Sequence, residues 1–174
     1  MLRDKIINAI NEVGFDEYKE IASADIIFAD AVFASCKTNT CGNFGQNHSC
    51  PPLSGDMDTN KQRFLNYDHA IILNKIMFLG EYYEKMESSM TEVFELLDRL
   101  RDQLDDEPVM IAGPGGCNLC DECSAKTSEA CRFPDQKRYS MEGSGMDIVT
   151  MSRGLGMTYN AGDNKVGFFM MVLY

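Results

Sequence analysis

The sequence is short of positive charge, and this shortage excludes some classes of partner. Its 174 residues contain 16 Lys and Arg against 27 Asp and Glu, which leaves a net charge of −11. Nucleic acids and anionic membrane surfaces are bound largely through Lys and Arg. We therefore expect no nucleic acid and no membrane among the partners. An acidic surface keeps a protein soluble, and it also suits docking to a basic protein face.

Long apolar runs are missing as well. The N-terminal segment, residues 1–15, has a helical pattern broken by charges and lacks the apolar core of a signal peptide. The most apolar internal stretch, residues 70–79, contains Asn74 and Lys75 and is too short to cross a bilayer. We therefore predict a cytoplasmic protein. In a reducing compartment, clustered cysteines indicate metal binding or redox chemistry before disulfides, and seven cysteines cannot all pair.

Several motifs of known enzyme classes do not occur. The sequence has two histidines, no HExxH motif and no Ser-His-Asp order typical of a catalytic triad. The stretch AGPGGC at residues 112–117 lacks the Lys and the Ser or Thr of a phosphate-binding P-loop, so we interpret it as shaping the loop that follows. These absences leave the cysteines as the main candidates for chemistry.

Four of the seven cysteines fall in one stretch, GPGGCNLCDECSAKTSEACRFP, at residues 113–134. Three of them follow at two-residue gaps, and such gaps direct successive thiolates at different irons of a cubane cluster. The glycines just before them supply the conformational freedom that the loop needs. We predict a 4Fe–4S cluster, with zinc as the alternative because CxxC pairs also bind zinc. The predicted ligands are Cys117, Cys120, Cys123 and Cys131.

The other three cysteines lie in CKTNTCGNFGQNHSCPP, with gaps of four and eight residues that do not match the CxxxCxxC motif of radical enzymes. They could form a zinc site completed by His48, hold a second cluster with an open iron, or remain buried as free thiols. We favour an open metal position, because Gly42, Gly45 and Asn47 would leave room for a small molecule. The three residues are Cys36, Cys41 and Cys50.

Four motifs together carry a resemblance to a known family. These are Cys-x4-Cys-x-x-Phe-Gly-x4-Cys-Pro-Pro, CxxCxxC, CRFP and YSMEGSGMDIV. The chain, from about Cys36 to its C-terminal strand, resembles an uncharacterised family of predicted metal-binding proteins that is defined by a domain of unknown function. The resemblance implies that all seven cysteines belong to one shared metal-binding set. It implies a metal or iron–sulfur site and no particular reaction.

Two further groups of residues accompany the cysteines. Arg132, Lys137 and Arg138 form a basic cluster directly after the CxxCxxC motif, and we expect them to offset the charge of a thiolate cluster or to dock an acidic partner or cofactor. Ser140 is placed to cap a helix, with Glu142 in its first turn, where the helix dipole favours a carboxylate. We interpret this second pair as structural rather than catalytic.

The hydrophobic pattern predicts an α/β fold. We expect a single metal-binding domain over residues 1–174, built from a small mixed sheet packed with two or three helices and carrying two cysteine-rich metal-binding loops. The loops are expected at residues 36–60 and 113–139, where periodicity is lost. The predicted elements are helices over residues 2–13, 86–104 and 141–153 and strands over residues 69–79, 109–112 and 166–174.

Three functional hypotheses follow. The first is an iron–sulfur protein that passes single electrons to a redox partner protein or serves metallocofactor metabolism, with Asp121 and Glu122 lowering the potential of its cluster. The second is a zinc-stabilised structural or protein-interaction module without redox chemistry. The third is an enzyme that uses an open metal at the upstream cysteines as a Lewis acid. The sequence leaves the oligomeric state open.

Overall fold

The computed structural model describes residues 1–174 and contains one six-stranded mixed sheet with five helices. The helices are α1 (Leu2–Val13), α2 (Asp30–Ser35), α3 (Met57–Leu65), α4 (Met86–Gln103) and α5 (Ile148–Gly154). The strands are β1 (Glu17–Ala22), β2 (His69–Phe78), β3 (Met110–Gly113), β4 (Tyr139–Ser140), β5 (Asn160–Gly162) and β6 (Lys165–Leu173). None of the helices is both long enough and apolar enough to pass through a bilayer.

The sheet has the strand order β1-β2-β6-β3-β4, and β5 pairs with the first residues of β6. All pairs are antiparallel except β3 with β4, which run parallel. The connection between the two parallel strands is residues 114–138, which carry the CxxCxxC motif. This loop therefore starts and ends on neighbouring strands of the sheet.

Both faces of the sheet are covered, which explains the continuous apolar runs of β2 and β6. Ile71 and Leu73 face one core, where α1 and α4 pack, while Ala70 and Ile72 face the other. Phe64 of α3 and residues of α5 fill this second core. A strand that is buried on both sides shows no polar alternation in its sequence.

The predicted α/β class is confirmed, with three helices of nine or more residues and two shorter ones. The predicted helix over residues 141–153 is divided into a 3-10 helix, Glu142–Ser144, and α5. Gly145 separates them with a φ of +85°, in the left-handed region that ends a helical turn. Five elements were not predicted: α2, α3, β1, β4 and β5.

The sheet leaves part of one edge of β6 without a strand partner. β3 pairs only with Met171–Leu173, and β5 pairs only with Lys165 and Val166. Between these two pairings, Gly167, Phe168 and Phe169 line a large cavity instead. The short length of β3 therefore creates the space beside which both cysteine-rich loops lie.

Candidate functional site

The two cysteine-rich loops are joined to each other by hydrogen bonds. The upstream loop, residues 36–56, connects α2 to α3, and the downstream loop, residues 114–138, connects β3 to β4. The Asn47 side chain donates to the carbonyl of Cys117 (2.8 Å), and the backbone N–H of Cys117 donates to Ser49 Oγ (2.8 Å). Asn47 and Ser49 are buried and also bond to each other. The contact holds the upstream loop against the start of the CxxCxxC motif.

The four predicted cluster ligands line one small cavity of about 20 Å³. Cys131 reaches it although seven residues separate it from Cys123. The intervening segment folds back on itself, because the buried Ser124 hydroxyl donates to the carbonyl of Ala130 (2.8 Å) and the Glu129 N–H donates to the carbonyl of Ser124 (3.0 Å). The longer last gap of the motif is thereby closed.

His48 lies beside the downstream thiols. It lines their small cavity, and its Nε2 is 2.9 Å from the carbonyl of Glu129. Because a carbonyl can only accept, Nε2 carries the proton in this contact, and Nδ1 is left as the free nitrogen of a neutral ring. The sequence suggested His48 as a fourth ligand for the upstream cysteines, but their large cavity does not include it.

Basic side chains surround the downstream loop in different ways. Arg138 is buried and pairs with Asp98 (2.9 Å), and it is close enough to Cys117 for the two charges to influence each other. Arg132 donates to the carbonyl of Glu122 (3.0 Å), while Lys137 lines the thiol cavity. Lys137 and Arg138 therefore lie near the downstream thiols.

The three upstream cysteines line the large cavity beside β6, which has a volume of about 510 Å³. Ligand pockets usually measure ~300–1,000 Å³, so a small organic molecule would fit. Its walls are mostly apolar, with Val32 of α2, Phe44 of the upstream loop and Met90 of α4 among them. Cys36 is half-buried, Cys41 is exposed and Cys50 is buried.

Glu142 places a carboxylate in this cavity. The residue is accessible to solvent and lines the cavity. Desolvation raises the pKa of Glu142, although the N–H of Gly115 and the Ser140 hydroxyl, 3.5 Å from its Oε2, oppose this rise. Ser140 accepts from the N–H of Gly143 (2.9 Å), but the N-cap residue of this turn is Met141 and that of α5 is Asp147, so the predicted capping of a helix by Ser140 is not found.

The thiols of Cys36 and Cys50 are protonated at neutral pH in the absence of metal. Burial raises the pKa of Cys50 to about 12, and burial followed by the proximity of Cys41 raises the pKa of Cys36. A thiol binds metal as the thiolate. Metal binding at these two residues would therefore release protons, and metal retention there would weaken as the pH falls.

Cys41 connects the two groups of thiols. Besides lining the large cavity, it lines a neighbouring cavity of about 400 Å³ together with three downstream ligands. Those three are Cys117, Cys120 and Cys123. The seven cysteines therefore lie in one region of the molecule and around adjoining spaces.

The positions of the candidate ligands can be compared with the geometry that a bound metal requires. No three Cys, His, Asp or Glu side chains converge closely enough in this structure to hold one ion. Tetrahedral zinc would need its sulfur atoms to approach to about 3.8 Å from one another, given Zn–S bonds of about 2.3 Å. A cluster takes one thiolate per iron around a shared body. The four downstream thiols line one cavity, and the buried Arg138 lies near Cys117.

Sequence reasoning missed three contributors to this region: Asn47 and Ser49, which join the loops, and the Glu142 carboxylate in the cavity. The first two are buried polar residues in a glycine-rich loop, and nothing in their local pattern distinguishes them from exposed loop residues. The Glu142 carboxylate was already explained by its predicted place in the first turn of a helix, where the helix dipole favours a negative charge. Only the packing of the upstream loop against residues 113–117 gives these side chains their partners.

Comparison with known proteins adds a family. A family model described as "Predicted metal-binding protein (DUF2284)" matches residues 19–174. The match begins upstream of the first cysteine and includes all seven. No curated protein and no solved structure matches the chain.

Proposed function

The chain belongs to the DUF2284 family of predicted metal-binding proteins, and we propose that it carries a 4Fe–4S cluster and transfers single electrons. The ligands of the cluster are Cys117, Cys120, Cys123 and Cys131. The partner of the protein is a redox protein or an enzyme of metallocofactor metabolism in a reducing compartment such as the cytoplasm. The observation that carries the proposal is that these four thiols line one small cavity within a single loop.

The charges around the loop support this function. When the cluster is bound, it supplies one-electron chemistry, and its potential depends on nearby charge and hydrogen bonds. Asp121 and Glu122 lie between the ligands and are exposed, so they disfavour the more negative reduced state. Arg138 opposes them from the buried side. The exposed acidic side of the loop suits a partner with a basic surface.

Metal analysis of anaerobically purified protein tests the proposal. We expect about four irons and four sulfides per chain, a brown colour and broad visible absorbance that bleaches on reduction. Zinc at one equivalent per chain, without visible absorbance, would instead support the zinc-stabilised module. A second experiment compares two reconstitutions of the metal-free protein, one with iron and sulfide and one with zinc alone. It distinguishes the iron–sulfur protein from the zinc-stabilised module, because only the preferred metal restores a single folded state.

The upstream cavity favours a second candidate, an enzyme with an open metal position. Cys36, Cys41 and Cys50 together with Glu142 line a space large enough for a substrate. A metal held there would act as a Lewis acid, and the carboxylate could accept or donate a proton. Small anions such as cyanide should then perturb the spectrum of the upstream metal. A spectrum that cyanide leaves unchanged in both wild type and Glu142→Gln would contradict this candidate.

A further inference from the structure

One cleft on this acidic chain has a basic inner wall. It has a volume of about 530 Å³ and lies beside the first residues of β3 and β4. The basic side chains come from α3, from the C-terminal end of α4 and from the end of the downstream loop. They are Arg63, Arg101, Lys137 and Arg138.

Two of these guanidinium groups are incompletely paired. Arg138 is 4% exposed; its Nη1 donates to Asp98 (2.9 Å), while its Nη2 is buried without a hydrogen-bond partner. Arg101 Nη2 lies 3.4 Å from the same Asp98 oxygen, and its Nη1 is likewise buried without a partner. The other carboxylate near Arg101 is the exposed Asp102, at 3.9 Å. Two guanidinium groups thus depend mainly on one carboxylate.

Buried donors without acceptors cost free energy, and native proteins contain few of them. Here two such N–H groups occur on neighbouring cationic side chains that line the same cleft. An anion in the cleft would balance the positive charge that Asp98 leaves unmatched on these two side chains. The two unpaired nitrogens each have less than 1 Å² of accessible surface, so a direct contact with them requires rotation of the guanidinium groups. The pairing defect and the cavity therefore point to the same kind of ligand.

The other two basic side chains of the cleft lie against one aromatic ring, and Arg63 already donates from Nη1 to Asn60 Oδ1 (2.7 Å) and from Nη2 to the carbonyl of Ser54 (2.9 Å). The Arg63 guanidinium lies 3.9 Å from the centre of the Tyr139 ring, and Lys137 Nζ lies 5.1 Å from the same centre. Tyr67 also lines the cleft, and burial, followed by the nearby Tyr139, raises the pKa of its hydroxyl, which stays protonated as a donor.

Three carboxylates also line the cleft. Glu107 is paired with Lys5, and Asp105 and Asp135 are exposed at the rim. The buried Arg138 thus lies deeper than these two acidic residues. A ligand would have to pass an acidic rim on an acidic protein, which selects for a small anion over an extended polyanion.

We propose that this cleft binds a small molecule through a phosphate group. The planar guanidinium fork matches the oxygens of a phosphate, and a tetrahedral oxyanion has enough acceptors for several converging donors. This inference does not depend on which metal the cysteines bind. Lys137 lines both the cleft and the cavity of the downstream thiols, so a bound phosphate would lie close to the metal loop.

Calorimetry with inorganic phosphate and pyrophosphate at constant ionic strength tests the proposal on the metal-loaded protein. Arg101→Gln should weaken pyrophosphate binding by about tenfold or more, since it removes a charge-assisted donor. Arg99→Gln is the matched control, because Arg99 is exposed on the same helix and outside the cleft. This control should bind within about twofold of wild type.

A second variant protects the test against misfolding. If circular dichroism shows that Arg101→Gln is unfolded, Lys137→Gln replaces it and should also weaken binding. Absence of binding at millimolar pyrophosphate, equal weakening by Arg99→Gln, or tighter binding of malonate than of pyrophosphate would each overturn the proposal. Unchanged binding by folded variants at both cleft positions would overturn it as well.

Discussion

Single side chains decide how the seven thiols are grouped. Ser124 closes the segment that brings Cys131 to the other downstream cysteines, and Cys41 alone borders cavities of both groups. Neither role depends on how many residues separate the cysteines. Substitutions of individual cysteines can therefore test this grouping.

We predict that Cys120→Ser or Cys123→Ser abolishes the downstream cluster, while Cys36→Ser leaves it largely intact. The reason is that the first two line the small cavity of about 20 Å³ and Cys36 lines only the large one. Iron content and visible absorbance of the three purified variants check this. Equal loss of iron in all three would show that the two groups share one centre.

Gly116 provides a second prediction at this scale. A Cβ at this position would lie 2.6 Å from Asn47 Nδ2 and 2.8 Å from Asn43 Oδ1, which are closer than such contacts allow. Gly116→Ala should therefore push the two loops apart and weaken metal retention, as measured by the rate of metal loss to a chelator. Gly154→Ala is the control, since its Cβ would meet nothing within 4 Å. Identical rates in both variants would contradict the close approach.

At the scale of elements, the edge strand β1 is attached by polar contacts as well as by backbone pairing. Glu17 accepts from the side chain of Asn74 in β2 (2.7 Å) and from the N–H (2.9 Å) and hydroxyl (2.7 Å) of Thr158, which precedes β5. Asn74 is fully buried within an otherwise apolar strand, and this contact explains its presence there. Burial alone would raise the pKa of Glu17. The hydrogen bonds from Thr158 and Asn74 outweigh this effect, so the pKa lies below its ordinary value.

Glu17→Gln should therefore reduce the free energy of unfolding at pH 7 by about 1–3 kcal/mol. The lowered folded-state pKa means that the stabilisation is present above the unfolded-state value of about 4.3 and is lost as the pH falls through the folded-state pKa. Urea unfolding at neutral and acidic pH measures both effects. The exposed Glu12→Gln on α1 is the control and should change stability little at any pH. A difference that persists at low pH would rule out the carboxylate as its source.

At the scale of the whole molecule, two cores lie on either side of one sheet, and the cysteine-rich loops lie outside both. The upstream loop contributes no residue to either core, and neither does the downstream loop. Their order rests on hydrogen bonds such as those of Asn47 and Ser49 and on whatever metal they hold.

Metal removal should therefore loosen the loops and spare the sheet. We predict that limited proteolysis of the chelated protein cuts first within residues 36–56 and 114–138, because metal binding contributes directly to the order of such segments. Mass spectrometry of the fragments locates the cuts. Unchanged resistance of the metal-free protein, or first cuts within α1 or α4, would be inconsistent with this division of the molecule.

Periodicity predicts the elements that have a strong pattern of their own. The apolar runs of β2 and β6 and the stripe of α4 define strands and a helix without reference to the rest of the chain. The strand β1, with the sequence EYKEIA, is exposed at the sheet edge and exists because β2 pairs with it. The helix α3 buries only Asn60 and Phe64, although its cap residue, Asp56, was a signal that could have located it.

The sequence by itself determined which residues carry the chemistry, because a thiol's affinity for metal and the spacing of a motif are local properties. Only the tertiary structure decided which thiols share a cavity, which carboxylate faces them and where Arg101 meets Arg138. These neighbours come from segments far apart in the chain. They meet because β6, the last strand, lies between β2 and β3 and because β3 ends after four residues. No local pattern contains that strand order.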